Sequence, residues 1–415
     1  MISRGLEIAL LVPAFAALLS AAATAAWLWH VPPWLADGAF LLLGLALASG
    51  LRARRRAPAS DALDRRLQIA FWAASAVALA SAVTHLFRFP HGGNDAWIIW
   101  NLRARWLFRA GPGGEASAFS PEILFWSHTD YPPLLPQLIA RGYQIAGRES
   151  QAIPACLGLL FAAISVAMVV AALRQTDRSR GLLGGLALVS TPAFVMAAAD
   201  QLADVPLAAF VTGSVALLVT RERGDPVPLL AAGAFAGMAA WTKNEGALHL
   251  ALIGLAVLLD ERRLRSVLFF VSGALPFLAL LVTFKLQVPP NDLLQTSASA
   301  AFHRLLDPGR WWTLLRLAPR RIVLLQVWGL HLVAVLAFVL FLRRRSRPCP
   351  GCGWLSWMPA AAVLADLAIL LGQPHDVAYM FRVTIDRLLV QIWPSILLLV
   401  GTRSFARWPL EATAR

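Results

Sequence analysis

Charge is scarce in this chain. Only 14% of its 415 residues are Asp, Glu, Lys or Arg, against 58% hydrophobic, and the mean hydropathy is +0.64. So little polar cover excludes one water-soluble core of this length. Cysteine is almost absent: Cys156 lies in an apolar run, and Cys349 and Cys352 form "CPGC". A lone CxxC with no second pair and no neighbouring His makes a poor zinc or redox site and reads as a reduced turn. The chain also lacks a Walker loop, a GxGxxG segment, an internal repeat, a coiled coil and a low-complexity tract. Soluble nucleotide chemistry therefore has no visible seat.

What is plentiful is apolar sequence in runs long enough to cross about 30 Å of hydrocarbon. They fall near 8–29, 34–50, 67–87, 134–147, 151–173, 181–199, 202–220, 228–241, 245–259, 267–287, 321–342, 353–372 and 387–402. The run 134–147 is short and carries Arg141, so it is expected to lie half-inserted at the interface. The runs 228–241 and 245–259 are also short and could pair to dip into the bilayer. The first run is too long for a signal-peptide core and is kept as an uncleaved helix. The expectation is an all-α polytopic membrane protein of about twelve transmembrane helices.

Arginine sets the orientation. With the N-terminus cytoplasmic, the inner loops gather Arg4, "RARRR", Arg65, Arg66, "RQTDRSR", "RERGD", "DERRLR", "RRRSR" and the C-terminal tail, more than half of the 37 lysines and arginines. Short loops rich in Arg stay inside. Both termini are then cytoplasmic, in a membrane of the bacterial inner-membrane type. The formal net charge of +14 reads as topology and attraction to anionic membrane lipid, and a nucleic-acid partner is not expected.

Acids collect on the other side: Asp95, Glu115, Glu122, Asp130, Glu149, Asp200, Asp204, Asp376 and Asp386. The stretch "HGGNDAWIIWNLRARWLFRAG", 91–111, suits an interfacial helix with its aromatics toward lipid and its guanidinium groups, Arg103 among them, toward phosphates. Asp95 stands at its start, where an acid can cap the first turn or do chemistry. In "HTDYPPLLPQL", 128–138, the prolines stiffen the chain beside Asp130. In "AADQLADVPLAAF", 198–210, Asp200 and Asp204 are four apart and would share a helix face, where two like charges call for a cation or proton between them. "WTKNEGALHL", 241–250, sets Lys243 and Glu245 between two short apolar runs, and ionisable groups at membrane depth line cavities or substrate paths. "QPHDVAYMFRVTIDRLLVQIWP" brings Arg382 and Arg387 to the last span, as phosphate partners or as snorkelling anchors. Asp366, inside a span, has no assigned role.

The order of these stretches resembles the integral-membrane glycosyltransferases of the C superfamily, which include protein O-mannosyltransferases and aminoarabinose transferases of lipid A. "NDAWIIWNLRAR" resembles their acid and juxtamembrane helix after a span. "HTDYPPLLP" is similar to the acid-x-Pro-Pro segment, "DQLADVPL" to the acidic motif of the next outer loop, and "WTKNEG" to the "LTK" element. The resemblance covers 67–290 with its outer loop 88–150. Residues 1–66 look like two added helices and a basic loop, and 291–415 like variable C-terminal spans. Asp95 follows the third span rather than the first, and Ala96 stands where many relatives carry a second acid.

The resemblance implies transfer of a sugar from a polyprenyl-phosphate donor to a lipid, glycan or protein acceptor on the outer face, with inversion. In that reading Asp95 is the general base, and Asp130, Lys243, Glu245, Arg382, Arg387 and Arg103 bind substrate. Asp200 and Asp204 would hold a divalent cation such as Mg, Mn or Zn. The alternative is a secondary transporter or a flippase of lipid-linked sugars. A transporter should show paired repeats with broken helices in matching halves.

Overall fold

The computed structural model describes residues 2–53, 65–111, 113–120, 122, 127–175, 178–222, 225–288, 297–324, 346–347, 353–402 and 404–405. "CPGC", most of the run 321–342 and the C-terminal tail lie outside the described residues. The described chain is almost wholly helical: α1 (Arg4–Leu28), α2 (Pro33–Arg52), α3 (Arg65–Arg88), α4 (Leu102–Ala110), α5 (Leu134–Ala146), α6 (Ala152–Leu173), α7 (Arg178–Val189), α8 (Pro192–Ala199) and α9 (Asp204–Thr220) come first. There follow α10 (Pro226–Thr242), α11 (Asn244–Glu261), α12 (Leu264–Gln287), α13 (Ala298–Leu306), α14 (Pro308–Leu324), α15 (Met358–Gly372) and α16 (Val377–Gly401). A two-residue ladder pairs Ser346–Arg347 with Ser404–Phe405.

Among the described residues seven helical segments are long and apolar enough to cross a membrane, and the pair α7 and α8, bent by 62°, makes an eighth if it counts as one span. The run 181–199 is thus not one straight helix, because Thr191 is extended and Pro192 opens α8. α10 starts beside the C-terminal end of α2, where a Cβ on Gly50 would lie 3.0 Å from Val227, and ends at Lys243. Its 17 residues span roughly 26 Å at 1.5 Å per residue. The last span begins at Val377 rather than near 387, so Arg382 and Arg387 lie within α16. The expected count of about twelve includes 321–342 and is left open by the described residues.

α9 is the axis of the bundle, buried at every position from Asp204 to Leu218. Its apolar surface faces α6, α10 and α16 on all sides, which is why its sequence has no polar stripe. α10 and α12 cross closely on small residues. A Cβ on Gly233 would fall 1.8 Å from the Phe270 carbonyl oxygen, and one on Gly273 would fall 1.9 Å from that of Leu230. Backbones approach this way where association in lipid depends on packing rather than on excluded water. α1 is an inner helix, with Leu6, Leu10, Ala14, Ala17 and Ala21 fully covered. α3 by contrast turns Trp72, Val77, Leu79 and Phe87 outward, as a lipid-facing helix does.

The two ends of the bundle carry different polar contacts. At one end Arg221 pairs with Glu261 at 2.6 Å, and Asp260 accepts from the backbone N–H groups of Trp354 and Leu355. At the other end Gln287 donates to the Leu28 carbonyl, Trp29 to Thr283, and His85 meets Asp200 at 2.7 Å.

Candidate active site

The site grows from the turn after α3. Gly92 has φ +75, and a Cβ there would lie 2.5 Å from the Asp200 carbonyl oxygen. Only glycine lets the chain press so close, and the Gly93 N–H donates to that same oxygen at 2.9 Å. Asn101 then ties the turn down, donating to the His91 carbonyl at 3.2 Å and to Gln201 Oε1 at 2.8 Å, while Gln201 Nε2 donates to the Pro90 carbonyl. Between these anchors the helix Ala96–Asn101 is π-wound, a local irregularity common at functional sites.

Asp95 does not cap this helix. Its backbone is already helical and its side chain makes no capping bond. Its carboxylate reaches Arg387 Nη1 at 2.7 Å instead. The expected lipid-facing comb is also only half present. Trp97 is exposed, but Trp100 is fully buried and stacks on Tyr131 at 5.4 Å. Arg103, expected to face phosphates, is buried: it donates to the backbone carbonyls of Ser127, His128 and Tyr131 and lies 5.6 Å from the Phe119 ring. The π turn rotates it inward, where three carbonyls on either side of Asp130 supply the acceptors. Burial pulls its pKa down to about 9, opposed by Asp130, which leaves it protonated at neutral pH.

Arg387 also donates through Nε to Asp204 Oδ2 at 3.1 Å. Asp204 is wholly buried, and its other oxygen accepts from Lys243 Nζ at 3.0 Å and from Gln391 Nε2 at 2.6 Å. Lys243 bridges onward to Glu245 Oε1 at 2.8 Å. The result is one line of alternating charge, Asp95, Arg387, Asp204, Lys243, Glu245, drawn from the first loop, α16, the start of α9 and the α10–α11 junction. The free oxygen of Glu245, Oε2, is buried without a hydrogen-bond partner among the described residues. A buried carboxylate oxygen left open is costly unless something polar reaches it.

A second cluster adjoins the line. Asp130 accepts from Asn244 Nδ2 at 2.9 Å. Lys285 Nζ lies 2.8 Å from Asn244 Oδ1, 2.5 Å from the Asp130 carbonyl and 3.4 Å from its carboxylate. The Tyr131 ring lies 5.9 Å from Lys243 Nζ. Burial, reinforced by Glu245, pushes the Tyr131 phenol up, so it stays neutral throughout the physiological range.

Of the residues picked out from sequence, Asp95, Asp130, Asp204, Lys243, Glu245 and Arg387 come together. Arg382 does not: it is exposed and its Nε returns to the Ala378 carbonyl of its own helix. Asp200 and Asp204 do not share a helix face, because Gln201 takes a left-handed backbone, φ +57, and breaks the chain between α8 and α9. Asp200 turns to His85. The oxygens of Asp204 already accept from Lys, Arg and Gln, a donor set that fits no divalent cation. Among the described residues no group of three or more His, Cys, Asp or Glu side chains could hold a metal ion. Lys285, Asn244, Tyr131, Gln201 and Gln391 are not singled out by the sequence. Lys285 carries the one usable signal, a charge within an otherwise apolar run.

The lysine, both clustered acidic motifs and the Asp130 loop all lie in one stretch of the chain, and that stretch has relatives. Residues 130–285 match the family described as dolichyl-phosphate-mannose-protein mannosyltransferase. The match bears out the resemblance to the C superfamily of membrane glycosyltransferases. It takes in Asp130, Asp204, Lys243, Glu245 and Lys285 and stops short of Asp95 and Arg387. Among solved structures, ArnT from Cupriavidus metallidurans bound to undecaprenyl phosphate is 16% identical at a TM-score of 0.47. The match covers 79% of this chain and 59% of that one. The apo form of the same protein is 15% identical at 0.48, with coverage of 79% and 58%. The chain thus spans less than two thirds of the length of these structures. No curated protein matches.

Proposed function

We propose that the protein transfers a sugar from a polyprenyl-phosphate carrier to an acceptor hydroxyl at the polar end of the bundle, with inversion at the anomeric carbon. The family match between residues 130 and 285 supports the reaction class, and the undecaprenyl phosphate named with one ArnT structure is consistent with the carrier. The Arg-rich loops at the opposite end support an outward-facing site. The observation that carries the reading is the meeting of Asp95 from the first loop with Arg387 and, through it, the buried Asp204.

In this mechanism the acceptor O–H gives its proton to Asp95 as its oxygen bonds to the anomeric carbon. The bond from that carbon to the phosphate oxygen breaks, and the carrier phosphate leaves with the extra negative charge. Arg387 receives that charge, since a guanidinium can hold two phosphate oxygens at once. Lys243 and Lys285 add positive potential beside it. Asp204 reacts with nothing: it fixes Arg387 and Lys243 in place from below. The open oxygen of Glu245 is suited to a hydroxyl of the sugar or the acceptor. The acceptor is a lipid, glycan or protein, and each step is carried by side chains of the chain itself.

The test is transfer by purified protein in nanodiscs, using radiolabelled polyprenyl-phosphate sugars and membrane extract as the acceptor source. Asp95→Asn keeps the shape and loses the base, so incorporation should fall by roughly 10²- to 10⁴-fold with the melting temperature nearly unchanged. Equal incorporation by both proteins would reject the role given to Asp95.

A further inference from the structure

Asp95 is only half free as a base while it is paired with Arg387. One of its oxygens is held at 2.7 Å by Arg387 Nη1, and a lone pair committed to a guanidinium N–H is not free for an acceptor proton. The two carboxylates that share Arg387 are unequal. Asp204 is fully buried and bound also by Lys243 and Gln391. Asp95 keeps about a quarter of its side chain exposed. An anion arriving at Arg387 from the open side would displace the carboxylate that is less held.

We infer that the donor's phosphate displaces Asp95 from Arg387, so that the base is released only when a leaving group is already in place. This rests on the glycosyl-transfer reading and adds an order to it: donor first, acceptor second. Charge argues the same way. The two clusters hold four carboxylates, Asp95, Asp130, Asp204 and Glu245, against three cations, Lys243, Lys285 and Arg387. Each of these cations already faces a carboxylate, so a further anion gains most by taking over a cation from one of them. Exchange at Arg387 provides that without moving any buried group. The charge then balances through the reaction. Asp95 is neutralised by the acceptor proton as the phosphate diester becomes a monoester carrying one more negative charge. After the monoester departs and Asp95 gives its proton to water, the Asp95–Arg387 pair closes again.

The experiment labels carboxylates on the full-length protein in nanodiscs with a water-soluble carbodiimide and glycine ethyl ester, and reads each site by peptide mass spectrometry. Three samples are compared: no addition, undecaprenyl phosphate, and undecaprenol, which has the tail but no phosphate. Lipid retained by the protein is quantified in each. The expected result is several-fold faster labelling of Asp95 with undecaprenyl phosphate only, with Asp204 unlabelled throughout. In Arg387→Gln, Asp95 should label fast in all three samples; if that variant fails to fold, the wild-type comparison decides alone. Retention of undecaprenyl phosphate with no rise in Asp95 labelling would overturn the exchange and leave the donor class standing. Failure to retain it would overturn both.

Discussion

Asn101 donates to Gln201 at 2.8 Å across 100 residues of sequence, and this bond joins the turn that carries Asp95 to the break that carries Asp204. Both side chains are buried. Gln201 spends its amide nitrogen on the Pro90 carbonyl and its oxygen on Asn101. Asn101→Ala should cost about 1–3 kcal/mol by stranding a buried amide oxygen. It should also lower kcat more than it raises KM, because the base rather than the binding groups loses its support. Thermal unfolding in detergent and steady-state transfer rates check the two parts, and an unchanged kcat would remove Asn101 from the positioning role.

Arg103 fastens the chain on either side of Asp130 through three carbonyls. Arg103→Lys should therefore behave almost like Arg103→Ala, since one ammonium cannot reproduce a planar fork of donors. Limited proteolysis between residues 111 and 130 should accelerate strongly in both variants. Protection of the Lys variant equal to wild type would show that charge alone suffices.

Gly233 and Gly273 set the distance between α10 and α12, and through them the placing of Lys243 and Lys285, which end those helices. Gly233→Ala puts a methyl where the Phe270 carbonyl oxygen now stands, and overpacking of this kind costs about 1–3 kcal/mol. A melting temperature equal to wild type would mean that the crossing can open without penalty.

Glu149 ties the outer loop to α4 by a two-pronged contact with Arg109, at 2.5 and 3.0 Å. The hydrogen bond from Arg109, with its charge and that of Arg105, holds the Glu149 carboxyl below its usual range. A carboxylate with a depressed folded-state pKa stabilises above its unfolded value, roughly 4.3, and loses that contribution as pH falls through the folded one. The difference in melting temperature between wild type and Glu149→Gln should thus be present at neutral pH and close at pH 3. A gap of equal size at both would assign it to packing.

Much of the bundle and its polar end is legible in the sequence. Hydrocarbon-length runs and one-sided arginines are properties of composition along the chain, and they predict which acids share an end of the bundle. Asp95, Asp130, Asp204, Lys243 and Glu245 emerge that way. Contacts that depend on helix phase do not. The inward turn of Arg103 follows from a π-wound stretch that "AWIIWN" does not announce, since its aromatics suit an interface equally well. The separation of Asp200 from Asp204 depends on one glutamine in a left-handed backbone, a conformation with no side-chain signature. Lys285 escapes notice because a lysine near the end of an apolar run can snorkel to the surface or line a cavity with the same sequence around it. Arg387 reads as lying beside the last span rather than inside it because the charged and polar neighbours from Asp376 to Asp386 blur where hydrocarbon begins.

α9 and α10, the helices that lead into Asp204 and Lys243, have 17 residues each, roughly 26 Å of rise against about 30 Å of hydrocarbon. On the proposed reading these groups sit below the lipid headgroups, at the bottom of a shallow well. In the proposed reaction the donor has to sink its phosphate below the headgroups, or the bilayer has to thin around the protein, and either requirement makes turnover sensitive to acyl-chain length. Short-chain lipids should favour this protein, and a thick, sterol-stiffened membrane should slow it with no change in any residue.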